Sequence, residues 1–258
     1  METDDWSFMT DATARVAVVT GATSGIGTEI ARRLVADGFT VVVHGRSVER
    51  GTRVAEEIGA HFIAADLTDE GAADELMTEA VRVAGRLDVL VNNAAIDHTG
   101  PLLDTPAPEV RATFETNTFA TIACLQAAGR VLRSQGTGGA IINVTSRLAS
   151  IGVPTMGIYS ASKGAILALT TAAAVELAPL NIRVNAVAPG MTNTPLYADW
   201  VAEQDDPDAT VRRVASAIPL QRIAEPADVA AAVSYLASPG ASYITGVSIP
   251  VDGGYLAT

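Results

Sequence analysis

The chain has 258 residues, 48% of them hydrophobic, and a formal net charge of −12. That length and apolar content allow one large α/β domain or two small ones, and the acidic balance argues against nucleic acid or an anionic membrane as a partner. No apolar run approaches the ~18 residues needed to span a bilayer, the single cysteine, Cys124, excludes an internal disulfide, and His44, His61 and His98 lack metal-ligand spacing.

Residues 1–13 are acidic and carry neither the basic nor the apolar region of a signal peptide, so they read as a flexible tail. A lone cysteine in an apolar helical pattern reads as a core thiol in a reducing, cytoplasmic compartment. No repeat, low-complexity tract or linker divides residues 14–258, which favours one domain. Apolar runs recur at Val16–Val19, Thr40–Val43, His61–Ala64, Val89–Val91, Ala140–Val144 and Arg183–Val187, with helical patterns between them. Continuous Val/Ile/Leu runs predict strands covered on both faces, hence a doubly wound parallel sheet between two helix layers.

The first run opens into Thr20-Gly21-Ala22-Thr23-Ser24-Gly25-Ile26-Gly27 and then a helical pattern. Strand, glycine turn and helix together form a dinucleotide-binding context. Gly21 and Gly25 permit a tight turn and close approach to a pyrophosphate, Gly27 lets the helix pack on the sheet, and the helix start offers free N–H groups. The spacing is G-x-x-x-G-x-G rather than G-x-G-x-x-G, and a purely structural loop also needs glycines. The second run ends in His44-Gly45-Arg46-Ser47, without the acid that an NAD site places there. Arg46 can meet a 2′-phosphate, so the sequence predicts NADP(H) over NAD(H); the plainer reading makes Arg46 a solvated helix-start residue. Asp66-Leu67 are placed to meet the adenine edge, although Asp66 would serve equally as a helix N-cap. Asn93 and Ala94, within Asn92-Asn93-Ala94-Ala95, suit a wall against the cofactor. Asn117 lies inside a good helix, where asparagine is locally unfavourable, which points to a bulge or a hydrogen-bonding role.

The fifth run, GGAIINVTS, ends at Ser146, and Tyr159 and Lys163 follow on a predicted helix. Positions i and i+4 share a helix face, so the phenol and the ammonium project from one side. A free phenol titrates near ~10, and a neighbouring cation lowers that value. Ser146 at a strand end can then hold a substrate oxygen within reach of Tyr159. Taken alone, Tyr-x-x-x-Lys also occurs on exposed helices that carry no chemistry.

Together these motifs resemble those of the short-chain dehydrogenase/reductase family over roughly residues 15–258. TGATSGIG resembles the family's TGxxxGxG, and NNAA its NNAG, with Ala95 in place of glycine. Asn117, Ser146, Tyr159 and Lys163 match its catalytic tetrad in order and spacing. Pro189, Gly190 and Thr194 resemble its PG-x-x-x-T, with Thr192 where an apolar residue is commoner, and ITGVSIPVDGGY resembles its C-terminal strand. The resemblance implies a Rossmann-type sheet of about seven strands and hydride transfer between a nicotinamide and a carbonyl or secondary alcohol. Tyr159 would be the general acid/base, Ser146 would stabilise the substrate oxygen, Lys163 would lower the Tyr159 pKa and bind the nicotinamide ribose, and Asn117 would hold a water. It further implies a substrate lid over residues 191–216 and a homotetramer. Ile96, Leu148, Met156, Ile158 and Tyr197 would line an apolar pocket suited to a neutral, fairly hydrophobic substrate. Trp200 either joins them or packs a surface helix, and Arg147 either meets an anion or turns away. An NAD-dependent alcohol dehydrogenase and a nucleotide-sensing regulator on the same fold are the competing readings, and retention of all four tetrad residues favours catalysis.

Overall fold

The structure, a computed structural model, describes residues 14–258; the expected tail at 1–13 lies outside the described residues. The strands are β1 (Val16–Val19), β2 (Thr40–Gly45), β3 (His61–Ala64), β4 (Val89–Asn92), β5 (Gly139–Val144), β6 (Ile182–Pro189) and β7 (Ser248–Val251). They form one parallel sheet in the order β3-β2-β1-β4-β5-β6-β7. The helices are α1 (Gly25–Ala36), α2 (Val48–Ile58), α3 (Ala72–Ala84), α4 (Ala107–Phe114), α5 (Ala120–Gln135), α6 (Gly157–Leu177), α7 (Pro195–Ala202), α8 (Pro207–Ser216) and α9 (Pro226–Ala237).

Strand alternation divides the core into two layers. Ala17, Val19, Val41, Val43, Val89, Val91 and Ile142 face α1 and α9, where they meet Ile30, Leu34, Val233 and Leu236. Val18, Val42, Leu90 and Ile141 face α3, α5 and α6, where they meet Leu76, Met77, Leu132 and Ala173. Both faces are apolar, which is why these strands read as continuous runs rather than as alternating ones. The stretch Gly157–Leu180 is, by length and composition alone, apolar enough to cross a membrane, with mean hydropathy 1.3. In this fold α6 packs on β6 and carries the buried Lys163.

Sheet order reverses at β1, which has β2 on one side and β4 on the other. The loops leaving these two strands diverge and open a crevice at their C-terminal ends, the place where open α/β sheets bind nucleotides.

Candidate active site

The glycine turn is built by exclusion of side chains. Gly21 has φ +63, and a Cβ there would lie 2.7 Å from Ala94 Cα; a Cβ on Gly27 would lie 2.4 Å from Gly21 O. The turn therefore seats directly on the exit of β4. Thr20 Oγ1 accepts from Asn93 N (3.0 Å) and Ala94 N (3.1 Å), and Asn93 Nδ2 donates to the Thr20 and Gly21 carbonyls, both at 3.0 Å. Ser24 N-caps α1 without making a side-chain cap bond, so the first N–H groups of α1 are not taken up by its hydroxyl.

A cleft of about 360 Å³ opens over this turn. Of the residues expected to hold a cofactor, Gly21, Thr23, Ser24, Gly25, Ile26, Gly27, Arg46, Asp66, Leu67, Asn93, Ala94 and Thr194 line it, and so does Ile96. Pro189, Gly190 and Thr192 are not among its lining residues, and neither are Tyr159 and Lys163, which were expected to meet the cofactor as well. Gly190 donates to Val251 O (2.9 Å), and a Cβ there would lie 2.8 Å from Asp252 Cα; Thr192 is buried and donates to Gly190 O (3.1 Å). These residues shape the exit of β6 against the C-terminal turn.

Among the lining residues that sequence reasoning missed are His44, Arg50, Thr68 and Thr116. Arg50 was accessible in principle, since it stands four positions after Arg46 in the first turn of α2. Arg46 Nη1 lies 3.7 Å from Asp66 Oδ2, both side chains being exposed. Asp66 Oδ1 accepts from Thr68 N (3.0 Å) and Thr68 Oγ1 (2.7 Å), closing a local turn, whereas the N-cap of α3 is Gly71. Those bonds to Thr68, helped by the Arg46 charge, hold the Asp66 carboxyl below the usual range.

A second group of side chains gathers where β5 meets α6. Ser146 is buried just beyond β5 with an extended backbone, and its Oγ accepts from Leu148 N (3.1 Å). That bond leaves the hydroxyl proton free to donate. Tyr159 stands in the first turn of α6, near enough to Ser146 for that hydroxyl to pull the phenol's pKa down against its burial. Lys163 follows one turn later, buried, with Nζ donating to Val144 O (3.0 Å) and lying 5.8 Å from the Tyr159 ring centroid.

Asn117 sits in a π-helical turn, Glu115–Phe119, between α4 and α5. Its Oδ1 accepts from Ile96 N (2.8 Å), and Nδ2 donates to Ile96 O (2.9 Å) and Ser162 Oγ (3.1 Å). The bulge expected of an asparagine in a helix is present. Both amide protons are bound within the protein, so the carboxamide fixes the Ile96 loop to α6.

The electrostatics differ from the sequence expectation. Burial pushes the Tyr159 phenol up to about 12, with the Asp97 charge acting the same way and the Ser146 hydrogen bond against it. Burial alone pushes Lys163 down to about 8. Desolvation thus outweighs the lysine's influence on the phenol in the protein by itself. At neutral pH Tyr159 is a proton donor in waiting, and Lys163 remains mostly charged.

The expected substrate residues are less closely grouped. Met156 Sδ accepts from Thr99 Oγ1 (3.3 Å), while Leu148 and Ile158 are half-buried. Thr194 N-caps α7, its Oγ1 accepting from Tyr197 N (3.2 Å). Tyr197 is buried with its hydroxyl unpartnered, and its ring stands 5.8 Å from Trp200 at the surface. The Arg147 guanidinium lies 4.0 Å over the Tyr255 ring, turned toward the C-terminal segment. Among the described residues no group of three or more potential ligands converges on a metal position.

The residues present fit a nicotinamide dinucleotide: side-chain-free glycines beside the crevice, a helix N-terminus, and cations at the far end of β2. The family model described as Enoyl-(Acyl carrier protein) reductase matches residues 21–256. The cis-4-hydroxycyclohexanecarboxylate dehydrogenase of Sinomonas cyclohexanicum is 41% identical, covering 94% of this chain and 97% of its own. The L-2,3-butanediol dehydrogenase of Corynebacterium glutamicum is 38% identical, covering 94% and 99%. The structure of ElxO with NADP bound superposes with a TM-score of 0.88 at 30% identity, covering 95% of this chain and 100% of that one. With the glycine turn and the Ser-Tyr-Lys group on one fold and these matches along nearly its whole length, the chain belongs to the short-chain dehydrogenase/reductase family of oxidoreductases acting on alcohols and ketones.

Proposed function

We propose that the protein is an NADP(H)-dependent oxidoreductase that interconverts a ketone and a secondary alcohol, with Tyr159 as the general acid/base. The observation that carries this reading is the gathering of Ser146, Tyr159 and Lys163 where β5 meets α6, with Lys163 Nζ 5.8 Å from the Tyr159 ring centroid. A bound nicotinamide supplies or accepts the hydride. Ser146, its Oγ already accepting from Leu148 N, donates to the substrate oxygen and orients it toward Tyr159. Tyr159 gives its proton to the developing alkoxide in reduction and takes it back in oxidation. Lys163 adds positive charge beneath the phenol and offsets part of its burial. Asn117 holds Ile96, and so the cleft wall, in place.

The NADP(H) preference rests on Arg46, with Arg50 beside it in the same cleft and glycine rather than an acid at the end of β2. The α7–α8 segment serves as the lid, since Thr194, Pro195 and Leu196 already overhang the cleft. The apolar cast of Ile96, Leu148 and Met156 favours a fairly hydrophobic substrate, and a relative named for 2,3-butanediol, an uncharged secondary alcohol, supports a neutral one. A buried thiol at Cys124, pushed up to about 12, suits a cytoplasmic setting.

The test is NADPH oxidation against a panel of small cyclic and acyclic ketones, with NADPH and NADH dissociation constants measured in parallel. The reading predicts turnover of at least one ketone and an NADPH affinity about tenfold or more above that for NADH. Absence of turnover across the panel, or tighter binding of NADH, contradicts it.

A further inference from the structure

We propose that His44, as a neutral imidazole protonated on Nε2, sets the shape of the glycine turn and so positions the adenosine half of the cleft. The inference rests on the dinucleotide reading of that cleft. His44 is buried near the end of β2 and lines the cleft. Its Nε2 lies 3.1 Å from Ala65 O. A carbonyl oxygen only accepts, so Nε2 carries the proton and donates. Nδ1 is then bare, and it accepts from Gly21 N (3.4 Å). One ring therefore ties the glycine turn to the Ala65–Asp66 turn, the two walls between which an adenosine would enter.

The surrounding main chain makes this a fitted contact. Ala22 N donates to His44 O (2.9 Å), and a Cβ on Gly45 would lie 2.4 Å from Thr23 Cγ2. Three successive turn residues, Gly21, Ala22 and Thr23, are thus placed by two residues of β2. Gly21 is pinned on its other side by Ala94. A doubly protonated ring would set N–H against N–H at Gly21 and release that end of the turn.

The charges about His44 are the Asp66 carboxylate, which favours imidazolium, and the Arg46 guanidinium, which is paired with Asp66. Burial outweighs both the bond to Ala65 O and the Asp66 carboxylate, each of which favours imidazolium, and holds the histidine below its ordinary range. The sign is therefore fixed: the neutral ring persists through neutral pH, and its contact with Gly21 is lost on acidification.

The test combines two readouts. Imidazole ¹⁵N shifts of the ligand-free protein, assigned by loss of one of three histidine signals in His44→Asn, should show the Nε2–H tautomer at neutral pH and proton uptake below the ordinary histidine range. NADPH affinity is then followed by fluorescence from about pH 8 to about pH 5 for wild type, His44→Asn and His44→Leu. Asparagine keeps an acceptor near the place of Nδ1 and does not titrate. Wild type should lose about tenfold more affinity on acidification than His44→Asn. His44→Leu should bind about tenfold more weakly throughout, with kcat at saturating cofactor near wild type. Parallel pH curves for wild type and His44→Asn, or the Nδ1–H tautomer, overturn the proposal even if His44→Leu fails to fold. Failure of wild type to bind either NADPH or NADH at any pH instead removes the cofactor reading, and the positioning role with it.

Discussion

Lys163 holds a buried cation at the expense of stability. Its pKa falls from 10.5 in the open chain to about 8 in the fold, a desolvation cost of about 3 kcal/mol. Below about pH 8 both states carry the proton and the whole cost stands. Between about 8 and 10.5 the folded protein sheds its proton first, the unfolded chain binds more, and stability rises with pH. Lys163→Met removes the buried cation and forfeits the bond to Val144 O, itself worth about 1 kcal/mol. The variant should therefore be more stable than wild type by about 2 kcal/mol near neutral pH, by denaturant unfolding, with the difference shrinking toward about pH 10. Tyr159, pushed up to about 12 in the fold, keeps its proton over this range. A destabilised variant at neutral pH would mean that the ammonium is better solvated than its burial implies.

At the scale of elements, the parts easiest to read in the sequence were those where local chemistry and fold agree. Apolar runs located the first six strands because both sheet faces are covered, and the glycine spacing located the turn because Gly21 and Gly27 have no room for a Cβ. The nearness of Tyr159 and Lys163, on which the proposed chemistry rests, was legible because i,i+4 spacing survives in α6. The π-helical turn was only hinted at, by one asparagine in a helical pattern, because its cause is a tertiary contact with Ile96. Contacts that join residues far apart in the chain left no local signal, among them His44 with Ala65 and Arg147 with Tyr255. That burial would outweigh the lysine at the phenol was likewise invisible, since spacing gives proximity but not burial. Asn117→Ala should leave the half-buried Ile96 N–H and carbonyl unpaired and cost about 2 kcal/mol. Thermal or denaturant melts would show it, and an unchanged melt would mean that water replaces the carboxamide.

At the scale of the molecule, one face remains uncovered. Val175 on α6 is 76% exposed and Phe119, at the start of α5, is 52% exposed. Apolar side chains this open on the two helices beside the Ser-Tyr-Lys group support the proposed homotetramer, in which α5 and α6 would meet their counterparts in a second copy. Light scattering coupled to size exclusion should give four times the 26.5 kDa chain mass. Val175→Glu should reduce that mass, and a monomeric wild type would refute the assembly. Pairing of α6 across such an interface would also stiffen the helix that carries Tyr159 and Lys163.

The account depends most on Tyr159 as the proton donor, and one comparison reaches it directly. Single-turnover NADPH oxidation by Tyr159→Phe, with a ketone that the wild type reduces, should be slower by about 100-fold or more, while the NADPH dissociation constant stays within about threefold of wild type. Near-wild-type turnover in that variant would contradict the assignment of the phenol as the acid.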